Sequence, residues 1–129
     1  MSKIKVVCRS FGFKYGTDEL CDTLFDARCL PNPFYEEELK HKTGLEKSVR
    51  DYVMRDGRGK EFLDCVIKLL QFTLPIYEEK GRSVFTVSFG CTGGQHRSVT
   101  IAYLTAEHLR KNGYEVELVH RDIDKSQVK

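Results

Sequence analysis

Cys91, His96, Arg97 and Ser98 lie within eight residues of one another in the run FGCTGGQHRS, residues 89–98. Counted from Cys91, the pattern is C-x-x-G-x-x-R-S. That is the spacing with which cysteine phosphatases hold a phosphate ester and attack it: a thiolate nucleophile, a ring of amides and a guanidinium. Counted from Gly90, the same residues form a glycine-rich turn that carries His, Arg and Ser into a helix, and they need only hold an anion. Gly93 and Gly94 lack Cβ atoms, so the main chain can come close to a phosphate. A helix amino end adds partial positive charge at the same spot. Arg97 can grip two oxygens, Thr92 and Ser98 supply hydroxyls, and His96 supplies a donor that strengthens on protonation near neutral pH.

Catalysis asks for more than binding. Cys91 must ionise, and a general acid must protonate the leaving oxygen. Asp64, Asp122 and Asp124 are the candidate acids, and the sequence places none of them. Gly90 stands before the cysteine, where those phosphatases usually carry histidine. The expectation is therefore an anion-binding loop made of Thr92, Gly93, Gly94, His96, Arg97 and Ser98, with no catalytic residue. A low-activity cysteine phosphatase using Cys91 and Arg97 is the enzymatic alternative. His96, His120 and Cys91 have no recurring metal-ligand spacing, so neither a metal nor a cofactor is expected.

The loop needs a strand before it and a helix after it, and the sequence supplies both. SVFTVSF is β-branched and aromatic, as a buried strand is. SVTIAYLTAEHLRKNG spaces Val99, Ala102, Tyr103, Ala106 and Leu109 along one helical face, and Asn112-Gly113 stops it. KIKVVCRSF, TLFDARCL and YEVELVH read as three further strands. Thr43 and Glu46 read as a capping box opening LEKSVRDYVMRD, and EFLDCVIKLLQFTL reads as a longer helix that Pro75 kinks or restarts. Strand, helix and strand at this spacing form parallel crossover units. The fold expectation is a small three-layer-like α/β domain with a mostly parallel four-stranded sheet and ligand loops at the carboxyl ends of its strands. Those loops bring Lys14, Arg28, Arg97, His120 and Arg121 towards one crevice. The aromatic residues of SFGFKY could stack on a sugar or base, or pack in the core.

A length of 129 residues suits one domain spanning 1–129, with a polar tail from about residue 122. The balance of 21 basic and 19 acidic residues, net +2, creates no global field for polyanions. No apolar run approaches the length of a membrane span, and Lys5 and Arg9 interrupt any secretory core, so a cytoplasmic protein without a membrane partner is expected. Five cysteines with no C-x-x-C pair argue against a disulfide framework and a zinc ribbon.

SFGFKYG, DARCLPNPF, TGLEKSVRDYV, GCTGGQHRSV and HRD, in this order and spacing, resemble the C-terminal domain of RapZ-type proteins from Ser10 to about Asp122. The resemblance implies part of a sugar-phosphate kinase fold that binds an amino-sugar phosphate through Thr92, Gly93, Gly94, His96 and Arg97. Full-length members join it to an amino-terminal P-loop domain. Enterobacterial members also bind small RNAs and present them to an endoribonuclease, as adaptors rather than enzymes. No G-x-x-x-x-G-K-[ST] occurs here, so a stand-alone domain is expected, with a separate P-loop partner left open. Phe34 stands where members often have histidine, which leaves the identity of the ligand open. The tail offers only Lys125 and Lys129 against Asp122 and Asp124, so any RNA affinity should be weaker than the family's. The expected partner is a phosphorylated small molecule; a small RNA partner and a homo-oligomer stay open.

Overall fold

Short runs of β-branched and aromatic residues, each closed by glycine or a charged turn, bring the chain into four strands. The computed structural model describes residues 3–125. β1 (Lys5–Gly12), β2 (Thr23–Asp26), β3 (Val84–Cys91) and β4 (Val116–His120) form one sheet in the order β2-β3-β1-β4. All three pairings are parallel, as the crossover reading anticipates.

Register decides which side chains share a face. Cys8 lies beside Val87 and Leu118, and Ser10 beside Phe89 and His120. The even-numbered residues Ile4, Val6 and Cys8 therefore join Phe85, Val87 and Phe89 in the core. Three helices supply the rest of it: α1 (Lys47–Val53) through Val49 and Val53, α2 (Arg58–Glu79) through Val66, Leu70 and Leu74, and α3 (Arg97–Lys111) through Ile101, Ala102, Ala106 and Leu109. Burying a Val or Leu side chain contributes roughly 1.5–3 kcal/mol, so this one face holds most of the stability. The third layer is thin. Segment 13–22 crosses the other face, where Asp18 accepts from Arg9 Nε at 2.6 Å and from Ser88 Oγ at 2.8 Å.

Two local expectations change. Thr43 does not cap α1: its hydroxyl accepts from the Leu45 amide at 3.2 Å, and Glu46 is the extended residue before the helix. The reason lies in the neighbouring loop, because the Gly44 amide donates to the Gln95 carbonyl at 2.8 Å and draws residues 43–44 away from the helix axis. Pro75 does not restart α2, which runs 22 residues through it with the proline on the exposed side.

After β4 the chain turns back under the sheet's carboxyl end. Asp122, at the start of the polar tail, is fully buried; it accepts from the Gly12 amide at 2.8 Å and pairs with Arg121 at 2.8 Å and Lys125 at 2.7 Å. Burial alone would raise its pKa, but these partners outweigh it and hold the carboxyl below its ordinary range. Lys129 lies outside the described residues. Replacing Asp122 with Ala strands the Gly12 amide and two cations, of which the cations can still reach water. The expected cost is about 2–3 kcal/mol in urea unfolding; a loss under about 0.5 kcal/mol, the size of an ordinary surface change, would show that the carboxylate is dispensable.

Candidate functional site

The site begins where β3 ends. Gly12 and Cys91 are register partners, so the chain leaves two adjacent strands at the same height, one path passing over each face of the sheet. The loop after Cys91 then has little freedom. Lys14 donates its amide to the Thr92 carbonyl at 3.1 Å, and Gly44 donates to Gln95 on the far side. Gly94 has φ +76°, and a Cβ there would lie 2.6 Å from the Gly12 nitrogen. Only glycine accepts both conditions. The Gln95 side-chain amide donates to the Lys125 carbonyl, adding a third tether.

This loop forms one wall of a cleft of about 250 Å³. Cys91, Thr92, Gly93, His96 and Arg97 line it from the motif, facing Lys14, Asn32, Phe34 and Tyr35 from two other loops. Of the six residues expected to hold an anion, Thr92, Gly93, His96 and Arg97 thus border the cleft. Gly94 and Ser98 sit behind it: Gly94 packs on Gly12, and Ser98 is fully buried against Cys91. The amides of Gly93 and Gly94 donate to no acceptor among the described residues.

Arg97 is the central charge. It is 6% exposed, and its guanidinium donates to the Arg28 carbonyl at 2.7 Å, the Leu30 carbonyl at 3.5 Å and Thr92 Oγ1 at 3.4 Å. No carboxylate takes it up, and its Nε is buried without a partner. His96 Nε2 is likewise buried and unpartnered. Burial pushes the His96 pKa down, the carbonyls of Lys42 and Lys40 oppose this, and Arg97 adds to the lowering. The imidazole is thus neutral near pH 7, which corrects the expectation of a protonated donor. Among the described residues lining the cleft there are two cations, Lys14 and Arg97, and no Asp or Glu. That is an arrangement that attracts and fixes negative charge.

The remaining cations are not in the cleft. Arg28 closes on Asp26 with a bond of 2.7 Å and lies over the Phe13 ring at 4.1 Å. Arg121 is committed to Asp122 and to the Gly16 carbonyl at 2.6 Å. His120 Nδ1 meets Ser10 Oγ at 2.6 Å, and burial lowers its pKa. Of SFGFKY, Phe11 is buried; the aromatic rings that border the cleft are Phe34 and Tyr35 instead. Their exposure was not readable from the P-N-P turn, although its rigid geometry is what turns them outward: the Asn32 side chain accepts from the Phe34 amide at 3.0 Å.

Cys91 keeps the phosphatase question open only in part. Its sulfur is 3.1 Å from Ser98 Oγ and accepts from the Ser98 amide at 3.3 Å, as a thiolate would require. The proposed acids are elsewhere. Asp122 is locked in its ion pairs, and Asp64 is paired with Lys60 on the surface of α2. No group of three metal-ligating side chains occurs among the described residues, and none of the described helices is long and apolar enough to cross a membrane.

Comparison with known proteins agrees with this geometry. The family model described as the RapZ C-terminal domain matches residues 4–124. The chain belongs to that family. It is 50% identical over 120 residues to a nucleotide-binding protein of Caldicellulosiruptor saccharolyticus, covering 93% of this chain and 41% of that protein. It is 50% identical over 123 residues to one of Clostridium acetobutylicum, covering 95% and 42%, and 47% identical over 116 residues to one of Bacillus pumilus, covering 90% and 39%. The chain thus spans about two fifths of the length of the curated relatives it matches.

The two buried histidines set an acid limit. Both have folded pKa values below the ordinary 6.5, so the unfolded chain binds more protons as pH falls. Their contribution is complete above pH 6.5 and is lost as pH drops through the folded values. The unfolding midpoint should be level above pH 6.5 and decline below it; a midpoint unchanged down to about pH 5 would contradict the burial of both rings.

Proposed function

We propose that this domain is a binding module for a phosphorylated small metabolite, and that it holds its ligand without cleaving it. The supporting observation is the pair of buried, unpartnered nitrogens, Arg97 Nε and His96 Nε2, on residues bordering a cleft that two cations and no carboxylate line. An unpaired buried polar atom costs about 1–3 kcal/mol, and an anion entering the cleft would relieve that cost. The cleft volume suits a small molecule rather than a polymer. Family membership favours an amino-sugar phosphate, whereas the printed names of the relatives favour a nucleotide, and the phosphate is common to both. Phe34 and Tyr35 then stand against the ligand's non-phosphate part.

Titration calorimetry with amino-sugar phosphates, mononucleotides and inorganic phosphate tests the reading. Arg97→Ala is expected to weaken binding by about 1.5–3 kcal/mol. Because Arg97 also ties the loop at Arg28 and Leu30, Lys14→Ala serves as the second variant: Lys14 is exposed, and its loss should weaken binding without altering the unfolding midpoint. Equal affinities in all three proteins would overturn the proposal. Phosphate release from an aryl phosphate is expected to be absent in both the wild type and Cys91→Ser; release that Cys91→Ser abolishes would make the domain an enzyme.

A second reading, single-stranded RNA, is favoured by Tyr35, which is 80% exposed and shares the cleft with Lys14. An exposed ring beside a cation can stack a base. With Arg28 and Arg121 paired to carboxylates, few cations are left for phosphates, so any gel shift should show a shallow salt dependence. No shift at low salt would exclude RNA.

A further inference from the structure

α2 is 22 residues long, about 33 Å at 1.5 Å per residue. One face, carrying Val66, Ile67, Leu70 and Leu74, is buried in the core. A second apolar stripe runs beside it: Phe62, Cys65, Leu69, Phe72 and Ile76, at alternating spacings of three and four residues. That is the seam spacing of one helix paired with another. Phe72 is 68% exposed, Leu69 43% and Ile76 37%. A helix needs only one apolar stripe to dock on its own domain. Exposed apolar residues scattered singly are ordinary, but these are in register along the whole element. At the amino end of the stripe, Phe62 and Cys65 join Leu30 and Cys29 in a groove of about 340 Å³, with Arg58 and Glu61 on its edge.

We propose that this stripe pairs antiparallel with the same stripe of a second copy of the chain, about a twofold axis between Leu69 and Phe72. The two ends of the stripe are complementary in shape and charge. The amino end carries the groove with Arg58 and Glu61; the carboxyl end carries Ile76 with Glu79 and Lys80. The axis sets Leu69 against Phe72, Cys65 against Ile76 and Glu61 against Lys80, so each Ile76 enters the other copy's groove. Arg58 then approaches Glu79, and every contact occurs twice. A parallel pair would set Glu61 on Glu61, Lys68 on Lys68 and Glu79 on Glu79, and would leave both grooves unfilled. A face about 33 Å long and about 10 Å wide lies at the small end of stable interfaces, so the pairing depends on concentration. It is independent of the ligand reading, because the groove and the cleft have no lining residue in common.

Sedimentation of the chain over a concentration series should show a monomer–dimer equilibrium. Phe72→Glu, an exposed position, should halve the mass at high concentration and leave the unfolding midpoint unchanged. The register has its own test. In a Cys29→Ser background, Ile76→Cys should give a covalent dimer on mild oxidation, and Cys65→Ser should abolish it. The two thiols cannot join within one helix, where eleven residues separate them by about 16 Å. A wild type that stays monomeric throughout, or a dimer that survives Phe72→Glu, overturns the interface. A dimer that Ile76→Cys fails to link through Cys65 overturns the antiparallel register.

Discussion

A Cβ at residue 12 would lie 2.5 Å from the Gly93 carbonyl carbon, and one at residue 94 would lie 2.6 Å from the Gly12 nitrogen. Two main chains touch here with no side chain between them, and the Asp122 carboxylate closes the contact by accepting the Gly12 amide. Everything that borders the cleft is referred to this point. The loop after β3 cannot lift, so the amino end of α3 and the Arg97 side chain begin from a set position. The approach is possible because β1 and β3 are register neighbours ending level with each other, which follows from the sheet order.

Much of this was legible in the chain. SVFTVSF followed by CTGGQHRS announces a strand, a tight turn and a helix, because no other arrangement satisfies a β-branched run, two glycines and a helical apolar face together. What escaped was set by distant partners. Asp122 looks like a solvated tail residue until Gly12 is brought beneath it. Thr43 looks like a helix cap until Gln95 takes the Gly44 amide. Arg28 and Arg121 look like phosphate ligands, and only their three-dimensional neighbours, Asp26 and Asp122, show that they are occupied. Local chemistry is written in local sequence; cancellation of charge is not.

The Cys91-to-Ser98 spacing shows how a motif can preserve geometry without preserving a reaction. The sulfur, the hydroxyl and the guanidinium come together as the spacing dictates. A displacement at phosphorus also needs a proton for the departing oxygen, and no carboxyl group lines this cleft. The sulfur is 2% exposed, which fits a small core residue beneath a loop at least as well as a nucleophile.

The guanidinium of Arg97 meets carbonyl oxygens and a hydroxyl, never a carboxylate. Carbonyl dipoles orient a cation without cancelling its charge, so the full unit of charge persists inside a nearly closed wall. Any small oxyanion feels that pull equally, whatever it is attached to. Strength and selectivity therefore reside in opposite halves of the cleft: the inner half grips indiscriminately, and the outer half, built from Asn32, Phe34 and Tyr35, must do the choosing. Exchanging residues along that outer rim would change which molecule is kept while leaving untouched how firmly its charge is held.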